Sequence, residues 1–197
     1  CLTVVPLCAM SFICSLLSLA AFSARALLQD VPARDPLRAY LALSTPGTAH
    51  ADAFDFLVGQ WFFLFQTLRE DNSFNPPRNV LWKVWKSHDG MMVEDEWILD
   101  PVGSNKPRVT LTYRAWNPGR KLWEITGIVP GEGSFEPGIA WGSGDDRLLV
   151  QHYGSYTTRI RYYEIAPNHF LWRADGTGDG GKTWQADAWK MEATRVP

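Results

Sequence analysis

The sequence predicts an all-β protein, an antiparallel up-and-down β-barrel of about ten strands. From Phe54 onward, short apolar or alternating runs are interrupted by Gly, Pro, Asn or Asp about every ten residues, a pattern typical of strands joined by turns. The connections are too short for crossover helices, which excludes parallel βαβ units. Strands paired in sequence order leave two open edges, and closing the sheet into a barrel removes both.

The strands follow one another with turn residues between them. The turn after the second strand is His88-Asp89-Gly90, where the Asp-Gly pair supplies the positive φ that a two-residue hairpin needs. Strands are predicted at 61–68, 80–87, 91–99, 108–116, 121–129, 134–141, 147–153, 157–165, 169–174 and 183–194. A barrel of this strand number is wide enough to enclose a ligand.

Composition narrows the classes of partner. The chain has 197 residues, 46% hydrophobic and 20% charged, with a formal net charge of −2. Because this balance offers no broad basic surface, we expect no nucleic-acid partner. The 10 Trp, 10 Phe and 6 Tyr exceed what the packing of such a core requires, and indole and phenol rings suit a half-wet ligand cavity. The alternative is that these rings fill a ligand-free barrel.

The N-terminal region predicts export. Residues 1–24 carry no charged side chain, and Ala24-Arg25-Ala26 forms a small-x-small cleavage site, so residues 1–26 are interpreted as a secretion signal of a secreted or periplasmic protein. A retained membrane anchor is the alternative, and would be the one expected membrane contact. Residues 27–50 form a leader arm and 51–197 the barrel domain. All three cysteines, Cys1, Cys8 and Cys14, precede the barrel.

The segment from Ala53 to Trp61 is the most specific part of the chain. It reads Ala-Phe-Asp-Phe-Leu-Val-Gly-Gln-Trp and resembles the Gly-x-Trp signature of the lipocalin and calycin superfamily, here Gly59-Gln60-Trp61. The resemblance implies that Trp61 closes the base of the barrel and that a basic side chain of the last strand stacks on its indole. Of Lys190 and Arg195, we favour Arg195, because a guanidinium plane stacks better than an ammonium group.

The resemblance extends over residues 46–195. Pro46-Gly47 with His50, the segment 54–61, the turn Trp116-Asn117-Pro118 and the segment 179–184 occur in the same order in exported bacterial lipocalin-like domains of unknown function, of the DUF1579 type. That similarity implies a β-barrel of ten or a similar number of strands and no particular reaction. Those domains usually have Tyr-Asp-Pro at the turn, so no acidic role is carried over to Asn117.

Residues 177–184 also match the Asp-box pattern found in propellers. A single copy cannot build a propeller, whose blades repeat. We interpret the segment as a structural hairpin turn in which Asp179 accepts backbone amides, the glycines take positive φ and Trp184 packs beneath.

Histidines and cysteines predict no metal site and no cofactor. The four histidines are far apart and the barrel has no cysteine, so zinc-ligand spacing is absent. His152 alternates with Leu148 and Val150, which predicts that it points into the barrel. It is interpreted as a satisfied interior histidine, a ligand contact or proton shuttle, or a haem ligand.

Asp95 lies in the acidic cluster of the third strand, on the same face as Trp97. If that face is internal, the carboxylate needs Arg114 or His152 as a partner. Otherwise it forms an outward ion pair, with Arg159 or Arg161.

Three functional hypotheses follow. The first is a barrel that binds a small hydrophobic or aromatic molecule. The second is a cofactor-free isomerase or cyclase that uses Asp95, Glu124, Arg114 or His152 as acids and bases. The third is an assembly or interaction subunit with an apolar outer wall that includes Phe62 and Trp85. The candidate ligand-binding residues are Trp61, Phe63, Phe65, Trp82, Trp97, Trp123, His152, Tyr162 and Trp172.

Overall fold

The computed structural model describes residues 49–100, 107–143 and 145–197. The predicted signal with its three cysteines, and the leader arm apart from residues 49 and 50, lie outside this part of the chain. Within it, no helix is both long enough and apolar enough to cross a membrane.

Ten strands make up the fold, and each lies within three residues of its predicted bounds. The strands are β1 (Gly59–Thr67), β2 (Arg78–Ser87), β3 (Met92–Leu99), β4 (Arg108–Asn117), β5 (Leu122–Val129), β6 (Ser134–Ser143), β7 (Asp146–Tyr153), β8 (Tyr156–Ala166), β9 (His169–Thr177) and β10 (Gln185–Arg195).

The sheet is a closed barrel in which every pairing is antiparallel. Neighbouring strands follow the chain from β1 to β10, and β10 pairs back with β1. The closing seam places Trp61 opposite Arg195, while β2 places Trp82 opposite Trp61 on the other side. Closure removes the unpaired backbone groups of both edge strands. The predicted fold class is confirmed.

One end of the barrel is closed by the chain that enters β1. A short 3-10 turn, Asp55–Leu57, holds Phe54 and Leu57 fully buried. The Trp61 indole Nε1 donates to the Leu57 carbonyl at 2.7 Å, and the Trp123 Nε1 donates to the His50 carbonyl at 3.1 Å. These bonds fix the entering chain beneath the barrel, and we call this the closed end.

The turn between β2 and β3 differs from the prediction. Ser87 pairs with Met92, so four residues connect the strands instead of two. His88, Asp89 and Gly90 have φ of 50°, 54° and 82°. The Asp-Gly pair does supply positive φ, but in a longer left-handed turn.

Candidate functional site

The floor of the barrel is built around Trp61, which has no exposed surface. The Arg195 guanidinium lies 4.1 Å from the centroid of the Trp61 ring. Its nitrogens donate to the carbonyl oxygens of Pro167 at 2.6 Å, Val58 at 2.7 Å and Phe56 at 3.0 Å. Arg195 therefore joins the last strand to the entering chain, as a planar group with several donors can. Lys190, the other candidate, stacks on Phe74 at 3.5 Å.

Aromatic rings line the interior above this floor. Eight of the nine candidate ligand-binding residues share the inward face, as the strand register and the ring contacts show. Phe63 lies 5.0 Å from Trp97 and 5.9 Å from Trp82, and Trp97 lies 6.3 Å from Trp172. The lower rings are at most 2% exposed: Trp61, Phe63, Trp82, Trp123, Tyr162 and Trp172. Phe65 and Trp97 are only half-buried.

His152 does not belong to this lining, which corrects the prediction. The inward-facing Tyr162 pairs with Arg147 across β7 and β8, so the inward residues of β7 are the odd-numbered ones. His152 pairs with Thr157 on the outer face, and its Nδ1 lies 2.6 Å from the Thr157 hydroxyl. The alternation of apolar residues predicted the wrong face because Val150 lies on the outer wall and yet is apolar and almost fully buried, at 1% exposure. Burial there does not mean a position inside the barrel.

A buried ion pair lies within the aromatic lining. Asp95 and Arg114 are 1% and 2% exposed, and the Arg114 Nη1 donates to the Asp95 Oδ2. The Arg114 guanidinium carbon is 6.0 Å from the Phe54 ring and 5.9 Å from the Trp82 ring. Of the two positions that the sequence left open for Asp95, the internal one is correct. Arg159 and Arg161 pair instead with Asp175 and Asp146 on the outer wall.

Burial governs the protonation of this cluster. It raises the pKa of Asp95, against the attraction of Arg114 and a smaller effect of the Trp82 indole. It also raises the pKa of Tyr162, although Arg114 and the Trp172 indole favour the phenolate. Desolvation by itself would lower the pKa of Arg114, but the attraction and hydrogen bonding of Asp95 and Tyr162 together raise it. Arg114 keeps its proton at any ordinary pH. The cluster is therefore better suited to forming an ion pair and hydrogen bonds than to transferring protons.

Two of the four residues in the enzyme hypothesis lie outside the barrel interior. Glu124 faces outward, where its Oε1 accepts from Asn117 at 3.0 Å and from Arg120 at 2.8 Å. His152 also lies on the outer wall. Only Asp95 and Arg114 of the proposed acids and bases face each other inside the barrel.

The end opposite the floor is more open, and three of its inward residues were not predicted as ligand contacts. Tyr153, Trp189 and Glu136 face inward at this end and are half-buried. Trp189 lies 5.2 Å from Tyr153 and 6.5 Å from a parallel Trp172. The inward position of Trp189 could have been predicted from the sequence, because Trp189 alternates with Met191, Ala193 and Arg195 along β10. We call this end of the barrel the open end.

Glu136 brings a carboxylate to the open end. Burial raises its pKa, Arg108 opposes the shift and Glu132 adds to it. The carboxylate lies beside Gly127 and Gln151, where a Cβ on Gly127 would be 2.7 Å from the Glu136 Oε2. The inward position of Glu136 could not be predicted, because β6 lacks a clear alternation of apolar and polar residues.

The Asp-box segment forms a hydrogen-bonded turn at the same end. Asp179 accepts from the Thr183 amide at 3.0 Å, the Thr183 hydroxyl at 2.7 Å and the Thr177 hydroxyl at 2.8 Å. These bonds, above all those from Thr183, lower the pKa of Asp179. Gly180 and Gly181 have positive φ, and Arg159 stacks on Trp184 at 3.9 Å. Every one of these contacts stays within the protein.

A separate groove lies at the closed end, outside the aromatic lining. Its volume is about 530 Å³, and none of the predicted ligand-binding residues lines it. It is formed by Asp52, Ala53, Phe56, Asp145, Arg147, Glu164 and Ile165. Within the described ranges, no group of three or more His, Cys, Asp or Glu side chains is placed to hold a metal ion.

The closed ten-stranded barrel with its sealed aromatic floor defines a protein with a calycin-like fold. The chain is similar in structure to the S-type phycobiliprotein lyase CPES from Guillardia theta, with a TM-score of 0.53 and 12% sequence identity. The match covers 73% of this chain and 90% of the lyase chain. No protein-family model and no curated protein matches the chain.

Proposed function

We propose that the barrel binds a small, flat, largely apolar molecule from its open end. The observation that carries this proposal is a gradient of exposure along one continuous aromatic lining. At the floor, Trp61 and Trp123 have no exposed surface, whereas Phe65, Trp97 and Trp189 toward the other end are half-buried. The rings toward the open end are therefore partly exposed to solvent, whereas those at the floor are fully buried.

The chemistry of these rings supports such a ligand. Indoles and phenols offer large apolar faces together with single polar groups, which is the usual composition of small-molecule sites. One similar solved structure is that of a phycobiliprotein lyase. From the fold we infer a similar mode of ligand binding, and we infer no particular ligand from this likeness.

Mass spectrometry of an organic extract tests the proposal. The protein is purified without denaturants from the cells or medium in which it is made. We expect a low-molecular-weight compound in stoichiometric amount whose removal increases Trp fluorescence. A Trp97→Ala, Trp189→Ala variant that folds should lose the compound. An empty protein from a gentle purification, together with no quenching by any flat aromatic probe, would contradict ligand binding.

We also propose that the protein is exported and is related to the exported bacterial lipocalin-like domains of DUF1579 type. This rests on the uncharged residues 1–24, the Ala24-Arg25-Ala26 site and the Gly59-x-Trp61 motif. N-terminal sequencing of the protein from a periplasmic or secreted fraction should begin near residue 27. A cell-associated protein that keeps residues 1–26 would point to the membrane anchor instead.

Self-assembly is a second candidate function, favoured by the outer wall of β1 to β4. Phe62 pairs with Leu81, Leu81 with Ile98 and Ile98 with Val109, giving an apolar row across four strands. Phe62 is 44% exposed and the adjacent Leu64 is 51% exposed. Such a row suits a symmetric contact with a second copy of the chain. Sedimentation should show a dimer that Leu64→Lys dissociates, and a monomer at every concentration would contradict it.

A further inference from the structure

The barrel interior contains more unpaired donors than unpaired acceptors. Six buried side-chain atoms in the described part of the chain have no hydrogen-bond partner, and five of them are inside the barrel. The four donors are the Nε1 atoms of Trp82, Trp97 and Trp172 and the Nε of Arg114, and the acceptor is the Asp95 Oδ1. An indole N–H can only donate, so the indoles cannot satisfy one another, and the four donors outnumber the one acceptor. A buried donor without a partner is costly.

These donors belong to one cluster. The Trp97 ring lies 5.5 Å from that of Trp82 and 6.3 Å from that of Trp172, and the Arg114 guanidinium carbon is 5.9 Å from the Trp82 ring. Trp97 is the half-buried member, so a molecule that enters from the open end meets its ring before those of Trp82 and Trp172.

Two of the donors have acceptors of their own nearby. The Trp82 indole acts on the Asp95 carboxylate, and the Trp172 indole acts on the Tyr162 hydroxyl, as the pKa values of those two groups reflect. Neither contact meets hydrogen-bond geometry in this structure. The Trp97 Nε1 also has no hydrogen-bond partner in the described part of the chain, so a ligand in the barrel would be able to supply its acceptor.

The charge of the cluster defines the acceptor. Asp95 and Arg114 form a neutral pair inside the barrel, and burial already works against the ionised carboxylate. A second carboxylate from a ligand would be buried next to Asp95 without a cation of its own, which is unfavourable. A neutral carbonyl oxygen accepts the same hydrogen bond without this cost.

We propose that the molecule bound in the barrel is a planar aromatic compound with a neutral carbonyl group, and that the carbonyl oxygen accepts a hydrogen bond from the Trp97 Nε1. Ketones, quinones and lactams fused to aromatic rings belong to this class. The inference rests on the proposed ligand-binding function and names the chemistry of its ligand.

Three probes of the same shape test it. Fluorene has no acceptor, 9-fluorenone has a neutral carbonyl, and fluorene-9-carboxylate has an anionic one. Each is titrated into the ligand-stripped protein and followed by quenching of Trp fluorescence. We expect 9-fluorenone to bind about five- to tenfold more tightly than fluorene, the value of one net hydrogen bond, and the carboxylate to bind more weakly than the ketone.

The Trp97→Phe variant separates the hydrogen bond from the aromatic contact. Phenylalanine keeps a ring at this position but has no N–H, so the preference for 9-fluorenone should fall to about twofold or less while fluorene still binds. Trp184→Phe is the matched control, because Trp184 lies under Arg159 on the outer surface, and it should keep the full preference. Binding of fluorene also shows that each variant is folded.

The outcomes distinguish the two proposals. Equal binding of fluorene and 9-fluorenone to the unmodified protein would overturn the carbonyl inference and leave the ligand-binding function standing. Tightest binding of the carboxylate would overturn the neutral character of the acceptor. An unchanged preference in Trp97→Phe would overturn the role of Trp97. Failure of all three probes to bind would contradict the binding function and this inference together.

Discussion

Gly59 and Arg195 approach each other so closely that a Cβ at Gly59 would lie 2.4 Å from the Arg195 Nη1. Gly59 also has a φ of 128°, a conformation that L side chains rarely adopt. The glycine of the Gly-x-Trp motif thus serves two purposes. It lets the chain turn into β1, and it leaves room for the guanidinium that covers Trp61.

Replacement of this glycine should therefore be costly. We expect Gly59→Ala to lower the free energy of unfolding by about 2–4 kcal/mol, from backbone strain and displacement of Arg195. Gly131→Ala is the matched control, because Gly131 has a φ of 85° but no atom within 4 Å of its Cβ position. It should cost about 1 kcal/mol. Equal losses in urea denaturation would show that the contact with Arg195 is unimportant.

Arg195 itself should be the more important of the two basic residues of β10. Arg195→Met removes the stacking on Trp61 and leaves three carbonyl oxygens without their donor, so we expect a loss of about 2–4 kcal/mol. Lys190→Met removes only the contact with Phe74 and should cost less than about 1 kcal/mol. Thermal and urea unfolding measure both, and a larger effect of Lys190→Met would refute the assignment.

The Asp95–Arg114 pair should behave as a unit. Asp95→Asn or Arg114→Met alone leaves an unpaired group in the barrel, and each should destabilise the protein by about 3–5 kcal/mol. The double variant should cost about 2–3 kcal/mol less than the sum of the two. A double-mutant cycle from urea denaturation measures this coupling energy. Additive losses would mean that the two groups do not stabilise each other.

Glu136 should make stability depend on pH. Its pKa is raised in the folded protein, so the folded state binds a proton more readily than the unfolded chain does. Stability should therefore fall as the pH rises from the ordinary glutamic-acid value of 4.5 through the raised pKa, and level off above it. Glu136→Gln lacks this group. The free energy of unfolding of the variant minus that of the unmodified protein should increase over this window, and a constant difference would contradict the burial of the carboxylate.

Much of the fold could be predicted because turn residues and alternation are local signals. The ten strand positions required only Gly, Pro, Asn and Asp between apolar runs. Which side chains of each strand point inward was harder to predict, since a shift of one residue exchanges the inward and outward faces of a strand. On β6 and β7 the outer face is itself apolar and buried, with Ile139, Trp141 and Val150 at 1%, 4% and 1% exposure. Alternation there could not distinguish inside from outside, and His152 was misplaced for that reason.

The sequence by itself determined the number and order of the strands and the turn glycines, because these depend on residues close together in the chain. The position of Trp61 at the floor was predicted from the resemblance of Gly59-Gln60-Trp61 to the lipocalin and calycin motif. The tertiary structure alone decided which face of each strand is internal, that Asp95 meets Arg114 inside the barrel, and which indole nitrogens are left without partners. Those features arise when strands distant in sequence are brought into register around a closed sheet, where each side chain's partner is set by the pairing of neighbouring strands.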